Sequence, residues 1–361
     1  MSVDTNLIPD DAVGSEPSPR ALVRAELPRW AQPAVFGGSL VVVGALLALA
    51  GAFSIGLFVF LAAVLFAVAT YLLSRFVEGG RKATDRLVTI VVTTAFLIAL
   101  APLVSVVITV VGNGLARFDA EFFSSSMRGV VGEGGGGYHA IMGTLIITAL
   151  AALMSIPVGL LTAIYLVEYG KGRLARAITF FVDVMTGIPS IVAGLFAFAL
   201  FALFFGPGVR MGFAGAVALS VLMIPVVVRA TEEMLKIVPN ELREAAYALG
   251  TPKWRTITKV VIPTSIAGIA SGITLAIARV IGETAPLLII AGLTTALNFN
   301  PFDGRMATLP VFAYTSYAAP GVPREPYLDR AWAAALVLII IVLVLNLVAR
   351  LIARVFAPKT R

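Results

Sequence analysis

Apolar residues fall in long runs separated by short polar segments, from residue 35 to residue 356. A helix rises about 1.5 Å per residue and a bilayer's hydrocarbon core is about 30 Å thick, so a span needs about 20 apolar residues. Eight segments meet that need: 35–51, 54–74, 87–111, 141–167, 177–205, 212–229, 264–293 and 332–356. Little more than Gly51-Ala52-Phe53 parts the first two. One helix over 35–74 would be about 60 Å long, twice the core, so the pattern predicts a tight hairpin there.

The polar segments set an orientation. With the N-terminus inside, the outer segments hold only Arg117, Arg128, Arg210, Arg305, Arg324 and Arg330. Arg279 lies within a span, and the other 20 of the 27 Lys and Arg fall inside. Basic residues concentrate on the cytoplasmic side of membrane proteins, so eight spans with both termini cytoplasmic are expected. Residues 1–33 mix Asp4, Asp10, Asp11 and Glu16 with several prolines ahead of the first apolar run. That is not the short basic start of a secretory signal, and it reads as a mobile cytoplasmic tail. Outside, 112–140 contains GEGGGG at 132–137, read as a flexible loop, and 294–331 is longer than an ordinary connection. Its Phe299, Phe302, Tyr314 and Tyr317, beside Asp303, Arg305 and Arg324, suit a fold against the membrane mouth, where it either packs on its own chain or offers a contact surface.

Composition agrees with the pattern. The 361 residues are 59% hydrophobic and 13% charged, where a soluble domain carries about a quarter charged. The chain is an all-α, polytopic transmembrane bundle. The net charge of +7 follows from the inner basic segments and calls for no nucleic acid. There is no cysteine and the one histidine is His139, so disulfides, thiolate sites and a His-based metal site or relay are excluded.

The inner segment 230–263 is the most patterned polar stretch. Pro239 breaks the chain; Asn240 suits an N-cap, and Glu241 and Glu244 suit a helix start. Leu242, Ala245, Ala246 and Leu249 share one helical face, and Gly250 suits the left-handed position past a helix end. Thr251-Pro252 then opens a second helix ending near Pro263. Glu244-Ala245-Ala246, three residues, Gly250, nine residues and Val260-Val261-Ile262-Pro263 resemble the EAA loop of ABC-importer permeases. The family's form ends in Ile-x-Leu-Pro, so Val260 and Ile262 are conservative departures. The resemblance implies that this loop docks into a groove on a cytoplasmic ATPase subunit, with Glu244, Ala245, Ala246, Leu249 and Gly250 as coupling residues. No G-x-x-x-x-G-K-[ST] occurs, so the chain is not that ATPase.

The span 264–293 poses a chemical question, because it carries Arg279 and Glu283 near its middle. Intramembrane charges are costly and by default mark pathways. Four residues apart, the two share a helical face and can pair, though Arg ahead of Glu is the weaker order. An ion pair that merely packs two helices is the alternative, but an apolar face would avoid its desolvation cost. Gly282 and Pro286 flank the pair, and Pro286 cannot donate to the Gly282 carbonyl, so a kink is expected beside the charges. Arginine's planar fork matches phosphate or sulfate oxygens, and Glu283 pairing with Arg279 between passages would let the anion leave.

ARVIGETAPLL (278–288), GIPSIVAGLFAF (187–198), IPVVVRATEEML (224–235) and MATLPVFAY (306–314) resemble the phosphate-permease (PstA-type) branch of that family. The likeness covers about 87–356 and leaves out the first hairpin, since a typical member has six spans. With the tail and hairpin read from the apolar pattern, three regions are expected: the tail 1–33, an N-terminal hairpin 34–80, and a six-span permease domain 81–361 with the coupling loop 230–263. The likeness also implies an ATP-driven phosphate importer in a prokaryotic cell membrane. Its other parts are a homologous second permease, two copies of an ATPase that bind ATP and Mg, and an extracytoplasmic phosphate-binding protein. By the same analogy Arg279, Glu283, Thr284, Arg229 and Ser190 line the phosphate pathway, with no cofactor in this chain. The oxyanion argument alone leaves sulfate or molybdate open. An ATPase-independent transporter or channel conflicts with the EAA loop, and a membrane enzyme with the lack of a compact acidic or histidine cluster.

Overall fold

The computed structural model describes residues 26–356, and it divides into two compact units at residues 106 and 107. The first unit opens with α1 (Ala31–Leu49) and α2 (Ile55–Val77), turned back on each other through Gly51 at φ +63°. Val43, Leu47 and Ala62 form the hairpin seam, with the Phe36 and Phe66 rings edge to face at 5.4 Å. A third helix, α3 (Gly80–Gly114), starts in this unit.

Glu78, between α2 and α3, fixes the polar end of the unit. Its buried carboxylate accepts from the Leu27 N–H at 2.9 Å, the Ser74 hydroxyl at 2.7 Å and Arg86 at 2.7 Å. Burial pushes its pKa up, but those three donors outweigh it and hold the carboxyl at about 2. Lys82 pairs with Glu26 at 2.7 Å. The described end of the expected tail, 26–33, is therefore bonded to the hairpin and enters α1 at Ala31, rather than hanging free. Residues 1–25 and 357–361 lie outside the described residues.

In the second unit, α4 (Ala120–Ser124) precedes a core of α5 (Tyr138–Ile164), α6 (Arg173–Thr186), α7 (Ser190–Phe205) and α8 (Gly212–Ile237). Then come α9 (Asn240–Ala248), α10 (Lys253–Thr256), α11 (Ile262–Ile281), α12 (Ala285–Ile290), α13 (Leu309–Ala318) and α14 (Glu325–Phe356). Small residues decide the main seam. Ala140, Gly143, Thr144, Ile147, Thr148, Ala151, Ser155, Gly159 and Ala163 are buried along one stripe of α5. Ile147 and Ala151 of this stripe meet Ala216, Leu219, Met223 and Val227 of α8. A β-carbon on Gly159 would stand 2.6 Å from Val227, so backbone approach here needs a residue without one.

Seven helices of the described residues are long and apolar enough to cross a membrane, or eight if a bent pair counts as one span. That pair corrects the expectation of a single span over 177–205. α6 and α7 meet at 108°, across Gly187-Ile188-Pro189. The residue before a proline avoids the helical region, and Pro189 itself is extended at ψ 137°, so the helix stops instead of kinking.

The glycine-rich segment is also not a loose loop. Gly135, Gly136 and Gly137 are buried, and β-carbons on the last two would strike Phe122 at 2.6 and 2.5 Å. Arg330, buried in α14, donates through Nη1 to the carbonyls of Gly132 and Gly134, both at 2.7 Å. The absence of side chains lets these carbonyls turn inward and saturate part of a buried guanidinium.

Candidate functional site

The span predicted over 264–293 is broken. α11 ends at Ile281, Gly282-Glu283-Thr284 are non-helical, and α12 begins at Ala285 with Pro286 in its first turn. The expected kink is thus a full interruption, with the Glu283 N–H returned to Val280 O at 3.1 Å. Its severity has a packing cause. On α7, a β-carbon on Gly194 would stand 2.6 Å from the Pro286 Cα, so α12 is drawn tightly onto α7.

The break separates Arg279 from Glu283. Arg279 is exposed in the last turn of α11, where a helix C-terminus favours a cation. Glu283 is half-buried in the break, and the two form no ion pair. The pairing expected from their spacing fails because they no longer share a helix. Thr284 is half-buried as the residue before α12, its carbonyl accepting from the Leu288 N–H at 2.9 Å. Ser190 opens α7, one turn from Gly194 on the same face, and is half-buried.

Arg229 is placed differently. It donates to Glu232 at 2.7 Å and, in a second short contact, to Asp183 on α6, while Glu232 also accepts from Lys236 at 2.7 Å. Two carboxylates balance its charge and tie α6 to α8. Sequence reasoning passed over Asp183, whose distance of 46 residues from Arg229 carries no local signal.

The loop 230–263 forms the second half of the site. α9 starts at Asn240, which is the first helical residue and not the cap expected of it; its Oδ1 accepts from Arg243 at 3.4 Å. Ala246 is buried, while Glu244, Ala245 and Leu249 are exposed, Leu249 at 86%. Gly250 is left-handed at φ +73°, as expected, and the Thr251 N–H closes the helix end on Ala246 O at 3.1 Å. The second helix does not end near Pro263. α10 passes through a π-turn over Ile257–Val261 directly into α11, and the wider turn accommodates a proline that has no N–H to give.

Arg243 anchors this loop, and sequence reasoning missed it. Its guanidinium meets the buried Glu168 carboxylate at 2.9 and 3.0 Å and caps the end of α8 at Leu235 O and Val238 O. Glu168 lies in a π-turn that closes α5, and Lys253 stands over the ring of its neighbour Tyr169 at 4.7 Å. α5, α8 and α9 therefore share one ion pair. No group of three or more metal-ligating side chains occurs among the described residues.

The family described as binding-protein-dependent transport system inner membrane component matches residues 155–361. The phosphate transport system permease protein PstA 1 of Mycobacterium tuberculosis is 48% identical over 271 residues, covering 74% of this chain and 87% of its own. PstA of Mycobacterium leprae is 49% identical, with the same coverages. PstA of Yersinia pestis is 37% identical over 280 residues, covering 76% and 92%. Among solved structures, a bacterial alginate ABC transporter in complex with an alginate-bound periplasmic protein superposes with a TM-score of 0.54. It is 16% identical and covers 77% of this chain and 96% of its own, a likeness of fold.

Proposed function

The chain belongs to the binding-protein-dependent transport inner membrane components, in their PstA phosphate-permease branch, and from that premise we propose how its residues carry phosphate. It is a multi-pass membrane permease subunit of an ATP-driven importer of inorganic phosphate, and it is not itself catalytic. The observation that carries the mechanism is the interruption at 282–284, beside an arginine with no carboxylate partner. Broken helices near the membrane midplane present polar backbone to a substrate, and irregular backbone is tolerated at that depth only where it is buried or lines a cavity. Arg279 offers its planar fork to the phosphate oxygens, with Thr284 and Ser190 as neutral hydrogen-bonding groups along the same route. Glu283, held apart from Arg279, repels the anion and promotes its release. Arg229, balanced by Asp183 and Glu232, is the weaker candidate for direct contact.

The pathway is completed by a homologous PstC-like permease. Two copies of a PstB-like ATPase bind ATP and Mg and dock on Glu244, Ala245, Leu249 and the turn at Gly250, with Ala246 packed beneath. A PstS-like binding protein delivers phosphate from outside. The membrane is the prokaryotic cell membrane, with both termini cytoplasmic. Phosphate uptake by the reconstituted importer tests the central assignment. Arg279→Gln should lower uptake about a hundredfold, the upper effect of losing a charged hydrogen bond. Arg279→Lys should keep weak transport, because the charge remains without the fork. Normal uptake by the Gln variant would refute the pathway role.

A further inference from the structure

Two arginines lie across a single glycine at the far end of α12. Gly292 is left-handed at φ +73°, and a β-carbon there would stand 3.1 Å from the Arg210 Cδ and 3.4 Å from the Arg305 Cδ and Cγ. The same helix end holds their backbones in register. The Met211 N–H donates to Ile290 O and the Met306 N–H to Ala291 O, both at 3.2 Å. Each arginine immediately precedes one of these anchors, so two segments nearly a hundred residues apart in the chain bring the stems of two cationic side chains to one glycine. Both side chains are exposed, and neither forms an ion pair.

Like charges held side by side repel unless an anion lies between them. The C-terminus of α12 relieves part of that repulsion, but a helix of six residues supplies little dipole, and two of its last carbonyls are already bonded. Two planar forks with unused donors suit a tetrahedral oxyanion, which can bridge them.

We propose that Arg210 and Arg305 form an outer capture site for the transported oxyanion, one station ahead of Arg279. This rests on the reading that the chain passes phosphate and that residues 294–331 face outward. α12 is about 9 Å long, so the two stations are one short helix apart along the chain. Successive weak sites are what conduction requires, because one firm site would hold the ion.

The test uses the complete importer in nanodiscs, treated with the arginine reagent phenylglyoxal and read peptide by peptide by mass spectrometry. Ionic strength is matched with chloride. Inorganic phosphate at about 10 mM should slow modification of Arg210 and Arg305 about threefold, as a site with a Kd of about 5 mM would do. The exposed Arg128 and Arg324 serve as controls and should be unchanged. Protection by sulfate and not by phosphate would uphold the site and refute phosphate as its cargo. No protection by either, or equal protection by chloride, would overturn the site, while wild-type phosphate uptake reads the cargo separately. R210Q/R305Q should lower uptake at saturating loaded binding protein about tenfold, and R210K/R305K should recover part of it. The affinity of the binding protein should stay unchanged. A loss of that affinity matching the loss of uptake would make the pair a protein-docking contact and overturn the proposal.

Discussion

Arg279 and Glu283 are four residues apart, and three non-helical residues separate the helix of one from the helix that follows the other. The distinction has an energetic consequence. Side chains paired on one helix couple, whereas groups without shared contact act independently. In a double-mutant cycle on uptake, Arg279→Gln and Glu283→Gln should therefore couple only through the passing anion, by less than about 1 kcal/mol. A coupling above about 1 kcal/mol would show that the two groups pair during the transport cycle. Gly282 and Pro286 around the charges made a bend predictable from the sequence. A full break was not legible, because its depth depends on Gly194 admitting Pro286 from another helix. The same limit explains Asp183 and Glu168, whose arginine partners lie 46 and 75 residues away.

At the scale of elements, the loop at 230–263 was the most legible part. Its helix after Pro239 and its left-handed Gly250 are local features, and both are present, although Leu249 falls just past the helix end. Its attachment was not legible, since a loop pattern does not say what lies beneath it. Arg243 supplies that attachment by closing α8's last carbonyls and meeting Glu168 at the end of α5. Removing one partner of a buried ion pair strands the other, at a cost of about 3–5 kcal/mol. Arg243→Gln should leave Glu168 without its cation and loosen α9 from α8. Binding-protein-stimulated ATP hydrolysis and phosphate uptake should then fall together, by about tenfold or more, while the protein still inserts. Glu168→Gln should be milder, because the carbonyls of Leu235 and Val238 still hold Arg243. If ATP hydrolysis stayed fully responsive in Arg243→Gln, the ion pair would be irrelevant to coupling.

For the whole molecule, the bent pair decides the parity of the chain. Seven crossings would put residues 26–30 and the end of α14 on opposite sides; eight would put them together. At 108°, α6 and α7 cannot both stand upright in the membrane. α6 begins with Arg173 and Arg176 and exposes Phe180, Phe181 and Val184, the mixture that lies along an interface. After Ser190, α7 is apolar to its end at Phe205, and its 16 residues are about 24 Å long, somewhat short of the core but within reach of a local thinning of the bilayer. On this reading α7 alone crosses, and the pair counts as one span. The distribution of Lys and Arg agrees, since it places Arg173 and Arg176 on the same side as the loop at 230–263. The chain has no cysteine, so single cysteines report position without interference. Thr186→Cys and Pro207→Cys flank α7 and are exposed in the parent structure. An impermeant thiol reagent applied to intact cells should label Pro207→Cys and leave Thr186→Cys, Trp30→Cys and Arg354→Cys unlabelled until the membrane is opened. Labelling of Thr186→Cys and Pro207→Cys from one side would mean that α7 does not cross. Trp30→Cys and Arg354→Cys would then label from opposite sides, and the eight-span arrangement would give way to seven.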